Sequence, residues 1–330
     1  MPNLPLSLAC WNYDRTRALF DGRVRADGID LTCLDLPVEE TFFRMLRHHE
    51  FDVSEMSLSS YVVSLASRDP QFVAIPVFPS RFFRHSCIYV HAAAGITRPE
   101  DLAGRVVGTP EYQMTAPVWI RGVLADEYGV PVDSVTHVTG GLEEPGRPEK
   151  LALDLPSSIR IRRIGPTQTL SAMLATGEID ALYTARAPSS FRAGDGRVRR
   201  LFEDFVHVER EYYRRTRTFP IMHTIVIRRA VYERHRWIAQ SLVKAFDAAK
   251  ALAYEDLAHT AALKVMLPWL PAHLEDARRE MGEDFWPYGL AANAGVLATF
   301  LRYSHEQGLS PRRLAADELF APETLESFKI

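Results

Sequence analysis

Cysteine is scarce in this chain. Cys10, Cys33 and Cys87 are the only three in 330 residues, and they are widely spaced. That excludes a disulfide framework and the C-x-x-C zinc sites, and an odd count fits a reducing compartment. A basic excess is lacking too. Lys and Arg number 39 against 42 Asp and Glu, a formal net charge of -3, which leaves no field for nucleic acid and no polybasic membrane patch. No apolar run is long enough for a membrane helix. The N-terminal stretch Pro2-Asn3-Leu4-Pro5 leads directly into Leu6–Cys10 with no basic n-region and no long apolar h-region. The expected location is therefore the cytoplasm. There is no H-E-x-x-H or H-x-H, and the adjacent His48 and His49 would point apart on a helix. Dinucleotide, Walker and nucleophile-elbow glycine patterns are missing as well. The expectation is a site that uses neither metal nor organic cofactor.

What is present is an ordinary globular composition, 47% hydrophobic and 25% charged, long enough for two domains. Apolar runs alternate between strand and helix spacing, which predicts an α/β architecture with mostly parallel sheets. Strands are expected at Leu6–Cys10, Ile29–Leu34, Phe51–Met56, Phe72–Val77, Cys87–Val90, Arg105–Gly108, Val135–Val138, Ile179–Tyr183 and His223–Arg228. Helices are expected at Asp14–Asp21, Val38–Arg47, Ser59–Ser67, Gln113–Tyr128, Thr169–Gly177, Arg236–Leu257, Thr260–Val265 and Leu290–Gln307. After residue 230 strands run out, so the C-terminal third is expected to complete the first unit. The predicted organisation is a discontinuous lobe of residues 1–95 plus 220–330, with an inserted lobe of residues 96–219. In such folds a ligand cleft lies between lobes, beyond the carboxyl ends of the strands.

The residues at those strand ends are unusual. Pro76 to Ser86 places Arg81, Arg84 and His85 among Phe78, Phe82 and Phe83. A pocket for an aromatic acid needs both kinds of group, since Arg clamps carboxylates and His carries a proton near neutrality. The same segment also reads as a strand end with its phenylalanines in the core and its arginines solvated. Trp11 and Arg15 follow the first strand, Glu55 and Ser57 the third. Tyr112, Gln113 and Thr115 enter a helix whose N-terminus offers free amides to an anion. Arg147 lies in a Gly/Pro/charge-rich loop, His223 precedes a β-branched strand, and Trp286 with Asn293 brackets a turn into a helix. Each has a local alternative as a cap, a core residue or a solvated charge.

Several motifs in register give these residues a family resemblance. They are Ala9-Cys10-Trp11-x-Tyr13-Asp14-Arg15-Thr16, Glu50-Phe51-Asp52-x-x-Glu55-Met56-Ser57 and Ile75-Pro76-Val77-Phe78-x-Ser80-Arg81-x-Phe83-Arg84-His85-Ser86. Gly108-x-Pro110-Glu111-Tyr112-x-x-Thr115-Ala116-x-x-Trp119, Phe219-Pro220-Ile221-Met222-His223 and Trp286-Pro287-Tyr288-Gly289-Leu290 continue the series. With these motifs the chain resembles the 4,5-dihydroxyphthalate decarboxylase family, of the type II periplasmic-binding-protein-like fold, over nearly its whole length. The resemblance implies loss of carbon dioxide from a hydroxylated aromatic diacid to give 3,4-dihydroxybenzoate, without a cofactor. It also implies a small aromatic carboxylate as the partner and, with the long C-terminal helices, self-association. The roles expected on this footing are Arg81 and Arg15 as carboxylate clamps, His85 or His223 as the general acid, and Glu55 as acceptor for the substrate hydroxyl. Trp11, Ser57, Tyr112, Gln113, Thr115, Arg147, Trp286 and Asn293 are the remaining substrate contacts expected. The rival reading is a solute-binding protein that presents a small aromatic or carboxylate ligand to a transporter.

Overall fold

The computed structural model describes residues 2–326. The chain packs as two compact units. The first comprises the residues up to Arg81, His223–Leu297 and those from Ala315, and the second comprises Phe82–Met222 and Ala298–Leu314.

The first unit is built on a five-stranded sheet of β1 (Leu4–Cys10), β2 (Ile29–Asp35), β3 (Val53–Ser57), β4 (Phe72–Arg81) and β11 (Ile221–Arg228), in the order β2-β1-β3-β11-β4. β1 lies parallel to both β2 and β3. β11 returns antiparallel to β3, with His223 opposite Ser57 and Ile225 opposite Glu55. That reversal brings the start of β11 to the edge where β1 and β3 end. β3 is buried along its whole length, so Glu55 enters the interior on a strand that otherwise reads as core. β4 runs past Val77 to Arg81 although Pro76 and Pro79 interrupt it. It is the outermost strand, where a missing N–H need not break a ladder. The helices are α1 (Asp14–Phe20), α2 (Val38–His48), α3 (Leu58–Ser64), α8 (Arg229–Arg234), α9 (Ile238–Ala258), α10 (Leu270–Met281) and α11 (Ala294–Glu306); α11 starts in this unit and continues into the second.

The second unit has a six-stranded sheet in the order β10-β5-β9-β6-β7-β8. Its strands are β5 (Ile88–His91), β6 (Val106–Thr109), β7 (Thr136–Thr139), β8 (Arg160–Arg163), β9 (Ala181–Tyr183) and β10 (Val198–Arg200). Its helices are α4 (Thr115–Tyr128), α5 (Leu170–Thr176), α6 (Ser189–Arg192) and α7 (Phe205–Thr216). One apolar cluster includes Val90, Val107, Ile120, Leu124 and Tyr183, and another includes Val138, Leu170, Leu174 and Leu182.

Several elements differ from the sequence expectation. Most of α11 packs with the second unit, because Phe300 and Tyr303 lie against the Trp119 ring of α4. Gly122 permits this approach, since a Cβ there would stand 2.1 Å from the Tyr303 ring. The second unit begins at Phe82 and not near residue 96, and it gains residues 298–314, while its other boundary, at Met222, falls close to the expected residue 219. Thr260–Val265 is not helical. Leu263, Val265, Met266, Leu267 and Trp269 are exposed there, so an apolar helix face would have nothing to cover it. Residues 270–281 form α10, which begins with a proline in its first turn. Among the described residues no strand follows β11, so the C-terminal third has no sheet of its own.

Candidate functional site

Glu55 is the centre of the first unit's site. It is fully buried, yet its carboxylate gathers four donors. Tyr13 Oη donates to Oε1 at 2.7 Å, and His223 Nδ1 stands 2.6 Å from the same oxygen. The Trp11 amide donates to Oε2 at 3.0 Å and Cys10 Sγ at 3.6 Å. The fold explains the meeting. Cys10, Trp11 and Tyr13 leave the end of β1 beside β3, and His223 arrives diagonally across the β3–β11 pair, within reach of a long side chain. Burial alone would push the Glu55 pKa up. The bond and charge of His223, then the Trp11 amide and the Tyr13 hydroxyl, outweigh it and hold the carboxyl below its ordinary value. The same environment drives Tyr13 and Cys10 upward, first through burial and then through the Glu55 charge. Both therefore stay protonated and serve as donors.

An ionised Glu55 fixes the roles of the imidazole nitrogens. Nδ1 must carry a proton toward the carboxylate, which leaves Nε2 for other work. Nε2 has no hydrogen-bond partner among the described residues, and the side chain keeps 16% of its exposure. The Phe42 ring meets it edge-on at 4.8 Å and limits its rotation. Glu55 is fully buried and already accepts from His223, Tyr13 and the Trp11 amide, so it holds His223 and is not placed to accept a substrate hydroxyl.

Arg15 lies next along this chain of contacts. Its guanidinium sits over the Tyr13 ring at 4.1 Å and over the Trp286 ring at 4.3 Å, held between two aromatic faces. Nε donates to the Pro79 carbonyl at 2.6 Å and Nη1 to Asp14 at 2.9 Å. Nη2 has no hydrogen-bond partner among the described residues. Trp286 is fixed in turn by its Nε1 donating to the Phe78 carbonyl at 2.9 Å. Trp11 is 42% exposed. Trp286, Arg15, Tyr13, Glu55 and His223 thus form one connected series within a single unit.

Arg81 and Asn293 turn out differently from expectation. Arg81 is buried and gives Nη2 to the Pro287 carbonyl at 2.7 Å and to Asn293 Oδ1. Asn293 donates in turn to the carbonyls of Pro287 and Gly289. The pair locks the 287–293 turn onto the end of β4. Arg81→Ala should therefore cost stability, about 1–3 kcal/mol, because it leaves the buried Asn293 Oδ1 without this donor. Denaturant titration checks this, and a midpoint unchanged from wild type would refute it. Ser57 caps α3 by accepting from the Ser60 amide.

The remaining candidates belong to the second unit. His85 is 3% exposed, with both ring nitrogens buried and without a hydrogen-bond partner among the described residues. Tyr128, Phe202 and Tyr212 meet it edge-on, and a small apolar cavity lined by Phe83, Ile88, Ile120 and Val123 lies beside it. Burial, then the Arg215 charge, lowers its pKa to about 4. His85 is a core histidine, neutral at working pH. Its unfolded value near 6.5 lies higher, so between pH 6.5 and 4 the unfolded chain binds more protons. The stability that neutral His85 contributes is present above that window and is lost as pH falls through it. His85→Phe should make the melting temperature fall less from pH 7 to pH 5. His137, lowered to about 3 by burial and Arg121, retains its own share of the acid loss. An unchanged slope would contradict the assignment.

Tyr112 is also core. Arg121 lies over its ring at 4.0 Å, and its hydroxyl donates to the Gln307 carbonyl at 3.1 Å. Arg147 is engaged by buried Glu111 at 2.6 Å, together with Lys150. Gln113 donates to the same carboxylate at 3.1 Å, and Thr115 opens α4. The sequence reading missed Tyr13, whose place beside a strand-end Glu is visible only once β1 and β3 are known to be neighbours.

Comparison with solved structures shows the fold class. The periplasmic aliphatic sulphonate binding protein of Escherichia coli matches 98% of this chain and 99% of its own, at 14% identity and a TM-score of 0.55. The sulfonate-binding protein of Methylobacillus flagellatus matches 98% and 94%, at 13% identity and 0.57. A DSZB mutant in complex with biphenyl-2-sulfinic acid matches 97% of each chain, at 18% identity and 0.51. These likenesses define a periplasmic-binding-protein-like fold. No family model matches the chain. Among curated proteins, the 4,5-dihydroxyphthalate decarboxylase of Comamonas testosteroni is 48% identical over 330 residues, all of both chains. That of Pseudomonas putida is 45% identical over 214 residues, 65% of this chain and 83% of the relative. The chain belongs to the 4,5-dihydroxyphthalate decarboxylase family.

Proposed function

We propose that this protein decarboxylates 4,5-dihydroxyphthalate to 3,4-dihydroxybenzoate. The substrate rests on the identity to two decarboxylases so named. The observation that carries the chemistry is the 2.6 Å contact from His223 Nδ1 to a buried, ionised Glu55. Such a pair fixes one imidazole nitrogen and offers the other as a general acid.

The reaction needs a proton at the ring carbon that bears the departing carboxylate. In this reading the imidazolium of His223 delivers it from Nε2. A ring electron pair forms the new C–H bond, and the hydroxyl oxygen para to that carbon donates a lone pair to the electron-poor ring. The bond to the carboxylate then breaks, its electron pair restores the aromatic ring, and carbon dioxide leaves. The ring supplies its own electron source, so an organic cofactor has no step to perform. The retained carboxylate falls to Arg15, whose stacked guanidinium needs no reordering to bind it. Exposed Trp11 offers a face for the aromatic ring.

This reading places the enzyme in the cytoplasm, and self-association goes with it as an expectation of the family. No helix among the described residues is long and apolar enough to cross a membrane. The test is purified protein incubated with 4,5-dihydroxyphthalate and, separately, with unhydroxylated phthalate. Product from the first alone supports the mechanism. Turnover of both would remove the para hydroxyl from it, and tight binding of either without product would favour a solute-binding protein.

A further inference from the structure

We infer that Tyr13 is a positioning residue for this decarboxylation: its hydroxyl shares Glu55 Oε1 with His223, and its ring carries Arg15. The inference rests on the decarboxylase reading for its kinetic consequences but on geometry for its substance. The Tyr13 hydroxyl stands 2.7 Å from Oε1, and His223 Nδ1 stands 2.6 Å from the same atom. Two donors on one carboxylate oxygen divide its hydrogen-bonding capacity. The stronger the bond from Tyr13, the weaker the hold of Glu55 on the imidazolium proton and the more acidic Nε2 becomes. A face of the same ring supports Arg15, whose guanidinium lies 4.1 Å from the ring centroid. One residue thus sets both the strength of the acid and the place of the cation.

The groups facing Glu55 are few. From the end of β1 come the Cys10 thiol and the Trp11 amide, from the start of α1 Tyr13, and from β11 His223. Arg15 and, from β2, Cys33 act on this cluster through Cys10. Of these, Tyr13 both donates to Glu55 and carries the Arg15 guanidinium on its ring.

Two variants separate the functions. Tyr13→Phe keeps the ring under Arg15 and removes only the hydroxyl. Glu55 then holds the His223 proton more tightly, and the imidazolium becomes a weaker acid. Because the protonated form is active, kcat falls as pH rises through the His223 pKa. That alkaline limb should move to higher pH, because the hydrogen bond lost from Glu55 had competed with the imidazolium for the same oxygen. The plateau kcat should fall several-fold, with KM unchanged. Tyr13→Leu should show the same limb and, in addition, a KM raised by about tenfold as Arg15 loses its support. NMR titration of the His223 ring in wild type and Tyr13→Phe gives the same answer without turnover. An upward displacement supports the inference, and coincident titrations in folded protein overturn it. If wild type makes no product at all, the decarboxylase reading fails, and the NMR result alone decides the role of Tyr13.

Discussion

His223→Asn is expected to bind 4,5-dihydroxyphthalate normally and to decarboxylate it about 10²–10⁴-fold more slowly, the usual contribution of a general acid. The prediction follows from where the side chain sits. Its Nδ1 is committed to Glu55, and Nε2 has no partner among the described residues. Asparagine can still donate toward Glu55 but has no second nitrogen to protonate carbon. Phe42 loses an edge-on contact, so a small loss of stability, on the order of 1 kcal/mol, accompanies the change. kcat, a ligand titration and a thermal melt should be read together. A folded variant with unchanged kcat would remove His223 from the mechanism.

The second large effect is on binding. Arg15→Ala should raise the Kd for 4,5-dihydroxyphthalate by about 30-fold or more, since losing one partner of a desolvated Arg–carboxylate pair costs ~2–5 kcal/mol. Arg15→Lys should recover little of it. Lysine brings a charge but not the flat guanidinium that lies between the Tyr13 and Trp286 rings and donates to the Pro79 carbonyl. Calorimetric titration measures the affinities. An Arg15→Ala protein with wild-type Kd would free Arg15 of the clamp role, and a lysine variant equal to wild type would show that charge alone suffices.

Much of the fold could be read from the residues. β1, β9 and β11 are largely apolar or β-branched runs bounded by turn residues, and their chemistry leaves few alternatives. β8 could not be read in this way. Arg160, Ile161, Arg162 and Arg163 are all exposed on an edge strand paired only with β7, so the pattern carries no buried face. α10 escaped for a related reason, as it buries only Leu270 and Leu274 and presents charges elsewhere.

The candidate site divides along similar lines. Glu55, Arg15, Trp286 and His223 stand out because such groups beside strand ends are unusual. Their assembly is a matter of topology. Glu55 and His223 lie 168 positions apart and meet only because β11 returns antiparallel to β3. Local pattern also could not separate His223 from His85. Both lie at a strand beside aromatic residues, and only the packing shows that one has a carboxylate partner and the other has none among the described residues. Tyr112 and Arg81 were attractive for their chemistry, yet the Tyr112 hydroxyl is spent on the Gln307 carbonyl and Arg81 Nη2 on Asn293 and Pro287.

The most direct test of the account is turnover in heavy water. Purified protein should convert 4,5-dihydroxyphthalate to 3,4-dihydroxybenzoate with one carbon dioxide released per product and one deuterium at C6, the ring position the carboxylate has left. The label should appear at the same position, but far more slowly, with His223→Asn. Substrate that binds tightly and is recovered unlabelled and intact, with no carbon dioxide released, would contradict the account.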